Sequence, residues 1–197
     1  STLAHWTDRE RAAIIGRMYH TLCVGGSREL RGEVRLSGER LVELDINSAF
    51  PVMLQVMMPG AEREVYRDLL ASGDIYSELG VGIERTEAKV QMMKLYAGYV
   101  YPHMTLHKEF GRRFPEATNL ITRMRHGGET LAAKLQNLEA EVTIKGVGVW
   151  TAERSLPFVP IHDGLLCLPG DVESFRVSLM ENFERVVGVS CVVEGKG

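Results

Sequence analysis

The order of strand-like and helix-like segments restricts this chain more than any single motif. Glu33-Val34-Arg35-Leu36 and Leu41-Val42-Glu43-Leu44-Asp45-Ile46 read as two strands, with Ser37-Gly38-Glu39 as the hairpin turn. Near the other end, Phe158 to His162 and Leu165 to Leu168 read as short buried strands around a tight Asp163-Gly164 turn. A helix from about Val172 to Val187 and a last strand, Ser190 to Val193, follow. Between about Glu62 and Arg154 the pattern is helical, broken at Gly73, Gly80, Gly98, Pro115 and Gly127-Gly128. Strands at both ends with helices between them predict an α+β fold, an antiparallel sheet with helices on one face. A capping pattern at Thr7-Asp8-Arg9-Glu10 predicts a further helix to about Leu22, ended by Gly25-Gly26.

The 197 residues suit one domain with a real core. No apolar stretch approaches the roughly 20 residues that span a bilayer, and Ser1 to Asp8 lack the marks of a secretory signal. Cys23, Cys167 and Cys191 are odd in number and unpaired in spacing, which predicts reduced thiols and a cytoplasmic location. The net charge of −3 is not that of an obvious nucleic-acid binder. Its distribution is uneven. From Tyr101 to Lys134, Lys108, Arg112, Arg113, Arg123, Arg125 and Lys134 face only Glu109, Glu116 and Glu129, six cations against three acids. That stretch fits either a solvated helix face or a phosphate-binding surface.

Two carboxylates stand where burial is costly. Asp45 ends an apolar strand, and Asn47-Ser48-Ala49-Phe50-Pro51 then starts a helix whose free N–H groups suit a phosphate. Asp163 lies between two apolar strands, where an acid needs a cation or a donor. If the hairpins are neighbours, acids 118 positions apart converge and can hold two divalent ions about 4 Å apart. Between them Arg85, Lys89, Met92 or Met93, and Tyr96 fall along one helical face, two cations and an aromatic in one stripe.

In this order the motifs resemble those of polymerases. Asp45-Ile46-Asn47-Ser48-Ala49-Phe50-Pro51 is similar to motif A of family B DNA polymerases, especially the protein-primed viral and plasmid branch. Lys89-x-x-x-Met93-x-x-Tyr96-Ala97-Gly98 resembles motif B of that family. Arg85-x-x-x-Lys89 and Ile161-His162-Asp163-Gly164 are as close to motifs B and C of family A and single-subunit polymerases. Gly164 stands where a second acid is usual, Ala97 intrudes in motif B, and the 34 residues after Asp163 are too few for a family B thumb.

The resemblance implies a palm-type catalytic domain with a short helical fingers insertion at about 61–154 and template-directed addition of dNTPs to a primer. It implies Mg²⁺ (or Mn²⁺) on Asp45, Asp163 and the Ile46 carbonyl. Arg85, Lys89 and the amides of Ser48, Ala49 and Phe50 would hold the triphosphate. Phe50 would block a ribose 2′-hydroxyl, Tyr96 would lie under the incoming base, and Arg112, Arg113, Arg123 and Arg125 would track the primer–template. An accessory subunit would then supply a thumb. Two other readings stand beside it: a polymerase-derived binding module without catalysis, and an HD-type phosphohydrolase using His162-Asp163 with His103, His107 and His126.

Overall fold

The structure is a computed structural model that describes residues 31–196. The expected helix to Leu22, the Gly25-Gly26 break and Cys23 lie outside the described residues. By its internal contacts the chain forms two compact units. One takes the chain up to Ala49 and again from Gln136; the other is Phe50–Leu135.

The first unit is built on a four-stranded antiparallel sheet. Its strands are β3 (Val42–Ile46), β4 (Phe158–Ile161), β5 (Gly164–Cys167) and β6 (Val193–Lys196), in the spatial order β4-β5-β3-β6. A separate small hairpin pairs β1 (Arg35–Leu36) with β2 (Glu39–Arg40). The sequence predicts that Glu33–Leu36 pairs with Leu41–Ile46, and the structure corrects this. Ser37 and Gly38 both take positive φ, 53° and 88°, which closes a two-residue turn, and the last backbone bond across this hairpin runs from the Leu41 N–H to the Val34 carbonyl at 3.0 Å. The chain then passes through Leu41 into β3, which pairs with β5 and β6 instead.

The second hairpin differs by one position from its expected form. Ile161 pairs with Gly164, so His162 and Asp163 are the turn and Gly164 begins the strand. The last strand starts at Val193 rather than Ser190, because Val193 is the residue opposite Ile46. Pro160 sits on the edge strand, where its missing N–H breaks no ladder.

Alternation divides the sheet into two faces. Leu44 and Leu165 are paired and fully buried, and that face meets the long helix Val172–Val187. Phe158 on this face packs 5.8 Å from Phe175, whose other ring neighbour is Trp150 at 5.4 Å. Burying side chains such as Phe175, Leu179 and Phe183 is worth about 1.5–3 kcal/mol each. The opposite face carries Asp45 and a small cluster of Leu41, Ile161 and Leu166, with Val34 and Leu36 against it.

Helices α1 (Ala49–Met57), α2 (Glu62–Ala71), α3 (Ile75–Leu79), α4 (Arg85–Tyr96), α5 (Thr105–Arg113), α6 (Pro115–His126) and α7 (Leu131–Ala140) follow β3. Their breaks fall at the glycines and at the proline that the sequence marks. A π-helical segment, Glu141–Val147, and α8 (Gly148–Arg154) lead to β4, and α9 is Val172–Val187. In the second unit Tyr66, Phe110 and Phe114 form a fully buried ring cluster. The Glu62 carboxylate accepts the free N–H groups of Glu116 and Ala117 at 2.8 and 2.9 Å, so α2 caps α6 from a distance.

Gly164 is the tightest point of the sheet. A Cβ there would lie 2.1 Å from the Leu44 carbonyl oxygen and 3.1 Å from the Asp45 Cα, and neither is a flexible group. Gly164→Ala should therefore cost at least about 2–3 kcal/mol in urea unfolding. A loss below about 0.5 kcal/mol, the range of ordinary surface changes, would contradict this register.

Candidate active site

Strand pairing brings the two predicted carboxylates together. Asp45 is opposite Gly164, and the Ile46 N–H donates to the Asp163 carbonyl at 3.2 Å. The Asp163 carboxyl donates to that of Asp45 when it is protonated. Burial, the Asp45 charge and the Glu139 charge push the Asp163 carboxyl up to about 7. His162 is held at φ 47° at the hairpin tip, and Ser48, three residues past Asp45, is at φ 52°. Non-glycine residues take such angles only where the surroundings fix them.

Glu139 is a third acid that the motifs do not contain. It is 1% exposed. It stands on α7 at the helical spacing of Leu131, Leu135 and Val142, all buried. An acid on the apolar stripe of a helix is the signal that marks it, masked in the sequence by the polar Gln136 and Glu141 nearby. Among the described residues no three His, Cys, Asp or Glu side chains have the spacing to hold one metal ion together. The Glu139 charge acts on the Asp163 carboxyl. Two acids in mutual contact, with a third buried charge nearby, still form a site that a cation would relieve.

At the start of α1, Asn47 is tied down by its N–H to Val192 and by its side chain to Glu194. The Ser48 hydroxyl donates to Asn47 Oδ1 at 3.2 Å, and Ala49 is buried.

The remaining predicted residues lie in the second unit. Arg85 donates to Asp74 at 2.7 Å and lies over the Tyr76 ring, while Lys89 is exposed. The predicted stripe on α4 runs along the border of its buried arc. Met92 and Tyr96 are inside it; Arg85, Lys89 and Met93 are outside. Tyr96 packs edge-on against Phe50, with ring centres 5.7 Å apart, and both are buried. Its hydroxyl has no hydrogen-bond partner, and burial, with Tyr66 and Tyr76 nearby, pushes it well above the usual phenol range.

Of the basic residues, Arg112 and Arg113 both clamp Glu109, whose carboxyl they hold down at about 2. Arg123 is exposed, and Arg125 lies over Tyr99. The HD-type reading loses its supports. His162-Asp163 forms a β-turn rather than a helical pair, and both His107 nitrogens are engaged with backbone groups.

No family model and no curated protein matches this sequence. Among solved structures the chain is similar to the POL domain of Pol1 from M. smegmatis, solved in complex with DNA primer-template and dNTP. The TM-score is 0.58 at 14% identity, over 87% of this chain and 42% of that one. The fold is polymerase-like. The expected α+β architecture, an antiparallel sheet with helices, is the one found. The chain spans less than half the length of that structure. Among the described residues no helix is long and apolar enough to cross a membrane.

The Asp45–Asp163 pair should be an electrostatic burden when no cation is bound. The folded protein keeps a proton on Asp163 that the unfolded chain releases near pH 4, so stability should fall as pH rises from about 4 to about 7. Asp163→Asn should flatten that window and raise stability at pH 8 by about 2–4 kcal/mol. Thermal unfolding in chelator across pH 4–8 measures both, and a variant less stable than wild type at pH 8 would contradict the account.

Proposed function

We propose that this protein is a template-directed nucleotidyl transferase, adding dNTPs to a primer 3′-hydroxyl with Asp45 and Asp163 as the catalytic carboxylates. The observation that carries the reading is their hydrogen-bonded convergence within a polymerase-like fold. The neighbour's bound primer-template and dNTP support the same class of partners for this chain.

In this reading Asp45, Asp163 and the Ile46 carbonyl hold Mg²⁺ or Mn²⁺. The bound ions would lower the pKa of the attacking hydroxyl and neutralise charge on the leaving pyrophosphate. Asp163 would hold such an ion as the carboxylate, having released the proton it shares with Asp45. Glu139 adds a buried negative charge that strengthens the site's demand for cations. The amides of Ser48, Ala49 and Phe50, at the start of α1, meet the distal phosphates. Arg85 and Lys89, on the exposed edge of α4, steer and neutralise the triphosphate. Arg85 would exchange its partner Asp74 for that ligand. Phe50, braced edge-on by Tyr96, stands as the block to a 2′-hydroxyl, and the Phe50–Leu135 unit serves as fingers. A module without catalysis would carry the same buried acids with no ligand to relieve them.

Primer extension with Mg²⁺ tests the proposal. Wild type should extend a DNA primer and favour dNTPs over rNTPs by about a hundredfold. Asp45→Asn should abolish extension with the fold intact by circular dichroism, and Phe50→Ala should admit ribonucleotides. No extension by a folded wild type with either metal would return the protein to the binding-module reading. Equal use of both sugars would remove Phe50 from the site.

A further inference from the structure

A stack of flat groups in the second unit has no part in the proposed chemistry. The Tyr99 and Tyr101 rings lie parallel within 9°, with centres 5.8 Å apart. Tyr101 stacks in turn on His107, at 9° and 5.9 Å. The Arg125 guanidinium carbon is 3.7 Å from the centre of the Tyr99 ring. Four planar groups are therefore joined in series, from a buried imidazole to an exposed guanidinium.

Both ends of the series are fixed. His107 Nδ1 accepts the Tyr101 N–H at 2.9 Å, so Nε2 carries the proton and donates to the Gln91 carbonyl at 2.6 Å. At the other end Arg125 donates to the Ala97 carbonyl at 3.3 Å. Its aliphatic stem lies over Gly98, where a Cβ would come within 3.2 Å of it, and the φ of +82° also favours glycine. The Tyr99 N–H donates to the Lys94 carbonyl at 3.0 Å. The platform is held by backbone carbonyls of α4 and its C-cap residue Ala97.

A stack formed only to fill a core would be closed to solvent. Here Tyr99 is 41% exposed, and Arg125 and His103 are exposed as well. The surroundings are cationic. Lys94 and His103 are near enough to act on the His107 ring. Of the acids in this region, Glu109 is neutralised by Arg112 and Arg113, and Glu129 by Lys134 at 3.0 Å. An exposed, pinned, flat and positive surface suits the face of an unpaired base with a phosphate beside it.

We propose that Arg125 and Tyr99 form a stacking platform for an unpaired base of single-stranded nucleic acid, with the Arg125 charge serving its phosphate. This gives Arg125 a base-facing role beside the backbone-tracking one its charge alone suggests. Use of the platform on a template strand rests on the polymerase reading; base stacking itself does not.

The test is fluorescence anisotropy of the full chain with a short oligodeoxythymidylate and with the same sugar-phosphate backbone lacking bases. Wild type should bind the base-bearing strand about tenfold more tightly. Tyr99→Ala and Arg125→Lys should each erase that preference, the second while keeping the charge, and Tyr99→Phe should keep it. Thermal melting confirms that each variant is folded. Equal binding of the two strands by wild type, or an intact preference in both folded variants, overturns the proposal. Nucleotide addition is not needed for the readout. A protein that fails to extend primers but prefers bases leaves the platform standing, and one that extends primers without the preference refutes the platform alone.

Discussion

The close pairing of β5 with β3 at Gly164 is the constraint on which the meeting of the Asp45 and Asp163 carboxyls depends. Below about pH 7 the Asp163 proton bridges them, and once it leaves two like charges face each other on strands that cannot part. That grip is the close approach of β5 to β3 at Gly164, where the Leu44 carbonyl leaves no room for a side chain. Any side chain at position 164 would need a Cβ inside the partner strand, and the further negative charge acting on Asp163 is that of Glu139 on a helix.

Burial makes this arrangement costly, and the cost is informative. A helix stripe of Leu131, Leu135, Glu139 and Val142 would be more stable with an apolar residue in the third place. Beside it, the π-helical segment leans so closely on α9 that a Cβ on Gly146 would meet the Asn182 amide at 2.4 Å. Insertions of this kind in an α-helix recur near functional sites. The strained backbone at Ser48 and His162 belongs to the same pattern, with local stability spent around one pair of acids.

Much of this was legible in the sequence, for identifiable reasons. Gly73, Gly80, Gly98, Pro115 and Gly127 end helices because each lacks a Cβ or an N–H, and α9 has the bounds its apolar spacing predicts. Asp45 and Asp163 stood out as acids set against apolar strands. The pairing of β3 was not legible, since a two-residue turn and a three-residue turn at Ser37 look alike until φ is known. Glu139 was hidden by Glu141 and Gln136 beside it, which make the segment read as a wet helix. The Tyr99 stack joins residues from one loop and two helices, and nothing in the local pattern announces it. The charge count between Tyr101 and Lys134 treated Arg112 and Arg113 as available, although both are engaged by Glu109.

The central claim is that the acid pair exists to bind divalent cations, and direct metal titration tests it best. Metal-free protein with a non-hydrolysable dNTP would be titrated with Mn²⁺ near pH 6.5, reading free Mn²⁺ by electron paramagnetic resonance and protons by a pH indicator. The account predicts saturation at about two ions per chain, with a proton released as the first ion displaces it from Asp163. Both signals should vanish in Asp45→Asn. Absence of saturable binding, or binding unchanged in that variant, would contradict the account.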